Sequence, residues 1–209
     1  MKLAVISNEV LKEEFIAKGI PGGIDMVFIT DVKDTPVDAD IIFDLLFENT
    51  HQRISCLKTF LPALVFINSV TAVLKTIELP FIRINAWPTF LHRNIIEWTI
   101  LPQQPAEKIK DIFTKLGWNH QLVPDITGMI SARVVAAIIN EAYFTLEQGV
   151  STKEEIDTAM KLGTHYPYGP FEWAELIGIK NIFELLDALQ KEDSRYETAP
   201  ALIAAANDQ

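Results

Sequence analysis

The side chains in this chain that could do chemistry are few and scattered. Four histidines, His51, His92, His120 and His165, show no metal-ligand spacing with one another, and no metal site is expected. The single cysteine, Cys56, cannot by itself form an internal disulfide or a thiolate cluster. Three acids stand out instead, because Asp44, Glu48 and Glu97 each lie within or at the end of a strongly apolar run. A buried carboxylate is costly without a partner, so such an acid marks either a site or a satisfied polar network, with a solvated strand edge as the ordinary alternative. A glycine-rich turn that would bring backbone N–H groups to a pyrophosphate is missing. Leu3-Ala-Val-Ile-Ser7 is followed by Asn8, Glu9, Val10 and Leu11, with no glycine before Gly19. Asp31, at the end of the second apolar run, stands about where an acid would hold a ribose, and it is equally an ordinary turn residue.

Composition narrows the classes of function. The 209 residues carry 18 Lys and Arg against 28 Asp and Glu, and the net charge of -10 disfavours phosphate backbones and anionic membranes as partners. Apolar residues make up 49% of the chain, an ordinary globular share, and the longest wholly apolar stretches, such as Val134 to Ile139, fall far short of a bilayer span. The apolar run within Met1 to Ile6 is too short for a signal segment, and the lone Cys suits a reducing compartment, so a cytoplasmic location is expected.

Two kinds of element must position these residues. Up to residue 123, short β-rich runs alternate with helical or irregular segments: Leu3 to Ser7, Met26 to Thr30, Ile41 to Phe47, Ala63 to Asn68, Phe81 to Asn85, Ile95 to Ile100 and Gln121 to Val123. That pattern predicts an α/β domain over 1–123. Only nine residues, Asp31 to Ala39, separate the second run from the third, fewer than a helical crossover needs. From Pro124 the pattern is helical, which predicts an all-helical domain over 124–209. Met129 to Gln148 is apolar on nearly all faces and reads as a buried central helix. Ser151 with Glu154 reads as a capping box for a helix that ends at Gly163, and Pro170 suits the first position of the next.

Several stretches of the helical half occur in a telling order: Asp125-Ile-Thr-Gly-Met-Ile-Ser-Ala-Arg133, Asn140-Glu-Ala-Tyr with Glu147-Gln-Gly149, Ile156-Asp-Thr-Ala-Met-Lys-Leu-Gly163, Tyr168-Gly-Pro-Phe-Glu172 and Leu176-Ile-Gly178. Together with Ala39-Asp-Ile-Ile-Phe-Asp-Leu-Leu-Phe-Glu-Asn49 and Phe66-Ile-Asn68-Ser69, they resemble the 3-hydroxyacyl-CoA dehydrogenase family. The resemblance implies a shortened Rossmann-like parallel sheet followed by a helical domain like the C-terminal domain of that family. In the family a strand His takes the 3-hydroxyl proton while hydride passes to NAD, and a Glu twelve residues later orients the imidazole.

Carried onto this sequence, the His position falls on Asn85 and the Glu position on Glu97. The family's active-site Asn falls on Ala132, and the first serine of its S-N-T-S-S run falls on Val70. Glu48 and Arg53 match cofactor-contacting positions, Arg53 in place of a Lys, and Asn68, Ser69 and Asp31 complete the candidate cofactor set. An amide cannot serve as a general base near neutral pH. The first expectation is therefore a relative with lost or altered dehydrogenase activity, binding an acyl-CoA-type molecule or serving in assembly, with no cofactor. The second is an NAD-dependent oxidoreductase with a rearranged site, His92 acting as base beside Glu97. The third is a structural module. The resemblance also implies a homodimer formed through the helical domain.

Overall fold

The computed structural model describes residues 1–208. Its backbone divides into two compact units that meet between Met129 and Ile130.

The first unit is a seven-stranded sheet in the order β2-β1-β3-β4-β5-β6-β7. Its strands are β1 (Lys2–Ile6), β2 (Asp25–Ile29), β3 (Ile41–Asp44), β4 (Leu64–Asn68), β5 (Ile82–Ile84), β6 (Ile95–Thr99) and β7 (Asn119–Leu122). All seven expected strands are present. Neighbours are parallel except β5 and β6, which run antiparallel and pair Ile84 with Trp98. The helices are α1 (Glu9–Ala17), α2 (His51–Lys58), α3 (Leu74–Ile77) and α4 (Ala106–Leu116). Between β2 and β3 there is only a single 3-10 turn, Val32–Asp34, where the sequence has too few residues for a helix.

Alternation along the strands divides the core into two layers. Leu3, Val5, Phe43, Phe66 and Ile84 face Phe15 of α1 and Phe113 of α4. Ala4, Ile6, Ile42, Val65 and Ile67 face Leu57 of α2 and Leu74 of α3. Strands buried on both faces explain why these runs are continuously apolar rather than alternating with polar residues.

The second unit is all helical: α5 (Ser131–Glu147), α6 (Lys153–Thr164), α7 (Pro170–Ile177), α8 (Ile179–Glu192) and α9 (Pro200–Asn207). Three details differ from the sequence reading. α5 is not buried all round, since Val134 on it and Ile130 at its N-cap are 55% and 52% exposed. The capping box is shifted by one residue, with Thr152 accepting from Glu155 N–H at 3.3 Å and Glu155 accepting from Thr152 N–H at 3.3 Å. Glu155 takes the role expected of Glu154 because it also accepts from the Ser151 hydroxyl at 2.5 Å, serving both hydroxyl residues at once. Finally, α6 runs one residue past Gly163 to Thr164, whose hydroxyl bonds back to Met160 O at 2.5 Å, and His165 takes the left-handed terminal position at φ 58°.

Gly169 is required by close packing. Asp157 of α6 accepts from Phe171 N–H at 2.8 Å and Glu172 N–H at 3.1 Å, capping α7 from another helix. A Cβ on residue 169 would lie 2.2 Å from Asp157 Cγ. Among the described residues, no helix is long and apolar enough to cross a membrane.

Candidate functional site

In an open α/β sheet, ligands sit where the strand order reverses, beyond the carboxyl ends of the strands. Here β1 is flanked by β2 and β3, so the reversal lies between β1 and β3, where Ile6 pairs with Asp44. Asp44 is fully buried there and is met by Arg53 of α2 in a two-pronged contact, Nε to Oδ2 at 2.7 Å and Nη2 to Oδ1 at 2.5 Å. Burial pushes the Asp44 carboxyl up from its ordinary value, and the Arg53 bonds oppose that rise. The acid in the apolar strand is therefore part of an internal ion pair. Next to it, the Ser7 hydroxyl is buried with no hydrogen-bond partner.

The structure gathers three of the five expected cofactor residues. Asp31, Glu48 and Arg53 line one cavity of about 210 Å³, together with Lys33, Thr50 and Cys56. Asp31 also does the work of a turn residue, accepting from Lys33 N–H at 3.0 Å. Asn68 and Ser69 stand elsewhere and are tied to backbone. Asn68 donates to Leu45 O and Ala86 O, each at 3.1 Å, and accepts from Ala86 N–H at 2.9 Å. The Ser69 hydroxyl donates to Ala72 O at 2.8 Å.

Asn85 and Glu97 are brought together through the backbone, Asn85 N–H donating to Glu97 O at 3.2 Å just beyond the carboxyl end of β5. Asn85 is buried, and Trp87 and Phe90 in the turn after it are buried edge to face with ring centres 6.0 Å apart. His92 is half-exposed, and the carboxyl group near it is Glu14, with Nε2 4.0 Å from Glu14 Oε1. Glu97 instead acts on Arg93, whose pKa burial lowers and Glu97 raises.

The other histidines have structural surroundings. His120 accepts from Trp98 Nε1 at 3.0 Å and stacks on Phe113, and burial together with Lys110 lowers its pKa. His51 lies 3.5 Å from the Ser55 hydroxyl. Among the described residues, no group of three or more His, Cys, Asp or Glu could hold a metal ion.

The resemblance implies NAD, and the residues at the α1 end test that. A dinucleotide pyrophosphate sits on a glycine-rich turn spaced G-x-G-x-x-G at a helix N-terminus. Following β1, that spacing falls on Ser7, Glu9 and Lys12. Glu9 and Lys12 pair with each other at 3.1 Å, and Asn8 caps its own helix by accepting from Leu11 N–H at 2.9 Å. A negative side chain and a self-capped terminus stand where anion-binding N–H groups are needed. The cavity beside Asp31 could hold a ribose, but the turn beside it does not fit a pyrophosphate.

Sequence reasoning missed two buried charge centres. Arg83 of β5 is fully buried, pairs with Asp125 at 2.6 Å, donates to Val70 O and Ile126 O at 2.8 and 2.9 Å, and also bonds Ser69 O. Its signal was a cation inside the apolar run Phe81-Ile-Arg-Ile84. Glu14 of α1 is 6% exposed and accepts from Thr89 N–H at 2.7 Å. Its signal was an acid between Leu11 and Phe15 on the apolar face of α1.

Comparison with known proteins bears on the same division. Residues 128–207 match the family described as 3-hydroxyacyl-CoA dehydrogenase, C-terminal domain. A 3-hydroxybutyryl-CoA dehydrogenase of Bradyrhizobium diazoefficiens is 38% identical over 99 residues, which take in 46% of this chain and 34% of that protein. A 3-hydroxyadipyl-CoA dehydrogenase of Escherichia coli is 44% identical over 82 residues, 38% of this chain and 17% of that protein. The matched stretches thus span about a third and about a sixth of these relatives' own length. The crystal structure of (S)-3-hydroxybutyryl-CoA dehydrogenase from Ralstonia eutropha superposes with a TM-score of 0.73 at 20% identity, covering 98% of this chain and 93% of that one, a likeness of fold. Residues 128–207 are thus similar to the 3-hydroxyacyl-CoA dehydrogenase C-terminal domain, and the chain as a whole shares the fold of a 3-hydroxybutyryl-CoA dehydrogenase.

Proposed function

We propose that this chain is a 3-hydroxyacyl-CoA dehydrogenase-like protein that binds an acyl thioester and does not transfer hydride, serving as a ligand-binding or assembly protein. The observation that carries the reading is Asn85, buried beside Glu97, which the resemblance aligns with the family's base. An amide there can donate or accept a hydrogen bond to a ligand carbonyl but cannot take a proton, and losing a general base removes about 10² to 10⁴ in rate. The Glu9–Lys12 pair and the self-capped α1 support the absence of a bound dinucleotide. Exposed apolar residues of the helical unit, Val134, Val150, Leu162 and Leu176, support a homodimer formed through that unit.

A second reading keeps an NAD-dependent oxidoreductase with His92 as base. The contact that favours it is His92 with Glu14 at 4.0 Å, a carboxyl partner other than the Glu97 expected from sequence.

Calorimetric titration separates the two readings. The expected result is saturable binding of acetoacetyl-CoA in the micromolar to submillimolar range, with no saturable NADH binding below about 1 mM. NADH binding at low micromolar concentration overturns the proposal and favours the second reading.

A further inference from the structure

Of the acids on α1, Glu9 and Glu13 are exposed, whereas Glu14 turns into the core. Its Oε1 accepts from Thr89 N–H at 2.7 Å, while its Oε2 is buried with no hydrogen-bond partner. Thr89 is itself buried and holds φ at 78°, a left-handed conformation that a β-branched residue keeps only where its surroundings impose it.

One turn further along the same face of α1, Lys18 donates to Leu91 O at 3.2 Å and Arg93 O at 2.7 Å, its ammonium 5.5 Å from the centre of the Trp118 ring. α1 thus grips one segment with an acceptor and a donor spaced four residues apart. From the other side, Asn68 bonds both the N–H and the carbonyl of Ala86. The backbone from Ala86 to Arg93, which begins at the residue after Asn85, is pinned at residues 86, 89, 91 and 93.

We infer that Glu14 is a positioning residue whose carboxyl group holds Thr89 in its left-handed turn and so sets the wall that Ala86 to Arg93 presents beside Asn85. For its effect on ligand, this rests on the reading of Asn85 as part of an acyl-thioester site. α1 starts at the switch point, where Asn8 caps it, so one helix borders the crevice and also shapes the segment after Asn85.

Residue-resolved amide hydrogen exchange on the full chain tests this without any ligand. In Glu14→Ala, exchange at Thr89 should speed up about tenfold or more while Val65 and Ile67 keep their wild-type rates, a local opening rather than a global one. Glu14→Gln, which retains an acceptor oxygen, should restore protection to within about threefold of wild type. If Glu14→Ala does not fold, Glu14→Asp serves, its shorter reach giving about tenfold faster exchange at Thr89. Unchanged exchange at Thr89 overturns the inference, as does acceleration at Thr89 in step with Val65 and Ile67. Acetoacetyl-CoA affinity should weaken about three- to tenfold in the Ala variant and recover in the Gln variant. Failure of the wild-type chain to bind acetoacetyl-CoA counts against the proposed function, while the exchange rates still decide the role of Glu14.

Discussion

The polar residues of the helical unit that resemble family motifs are occupied with geometry. Asp157 caps α7, Gly169 leaves room for that cap, and Asn140 of α5 bridges the chain before α9 by donating to Glu197 O at 2.8 Å and accepting from Ala199 N–H at 2.9 Å. In the sheet unit, the proposed assignment puts the differences at positions that matter for chemistry: Asn85 where the resemblance places a base, and Ser7, Glu9 and Lys12 at the spacing of a glycine turn. Of its buried charges, Asp44 pairs with Arg53 and Arg83 with Asp125, while Glu14 is spent on Thr89 N–H. A fold is held by residues whose work is packing and capping, so it persists where groups needed only for bond-making have changed.

Substitutions in the two units should separate these roles. The largest effect is expected from Asp125→Ala, which strands the buried Arg83 guanidinium and also removes the acceptor of Leu74 N–H and Lys75 N–H. Breaking a buried pair on one side costs about 3–5 kcal/mol, so chemical denaturation should show a loss of that order, with hydrogen exchange placing it in the sheet unit. Gly169→Ala should follow, because the new Cβ displaces Asp157 from the first turn of α7. Losing both capping bonds should cost about 2–4 kcal/mol, read as exchange confined to the helical unit. Asn140→Ala leaves one N–H and one carbonyl without their partner and should cost about 1–3 kcal/mol by denaturation.

The mildest contrast is one of pH. Burial makes Asp44 hold its proton above the ordinary 3.8, so between those two values the folded sheet unit binds more protons than the unfolded chain, and its stability falls as pH rises through that window. Glu172, bonded by Lys161 and Gly169 N–H, and Glu155, bonded by Ser151 and Thr152, are both lowered from 4.5. Their contribution to the helical unit is present above that value and is lost as pH falls through the depressed ones. Asp38 of the sheet unit, bonded by Lys2, is itself lowered and opposes Asp44, so the contrast is read as differences from Asp44→Asn and from Glu172→Gln by denaturation between about pH 5 and pH 3, where the Asp44 contribution should fall and that of Glu172 rise with pH. The same direction in both differences would contradict the contrast.

Much of the fold was legible in the chain because both signals are local. Strands buried on two faces read as continuous apolar runs, and the short stretch from Asp31 to Ala39 left room for a turn and no helix. Asn85 and Glu97 were paired by resemblance alone, and the backbone bond between them follows from the antiparallel register of β5 and β6. What stayed hidden depends on partners far along the chain. Glu14 meets Thr89 across 75 residues and Arg83 meets Asp125 across 42, and no local pattern names such a partner. Asn68 reads as a cofactor residue by motif, yet its amide is committed to Leu45 and Ala86, which only the register of β3, β4 and β5 reveals.

The central claim, an acyl-thioester site without hydride transfer, is tested most directly by following NADH oxidation in the presence of acetoacetyl-CoA at high protein concentration. The account predicts a rate indistinguishable from the protein-free control. Turnover of about 1 s⁻¹ or more, the lower end of the usual range for enzymes, would contradict it.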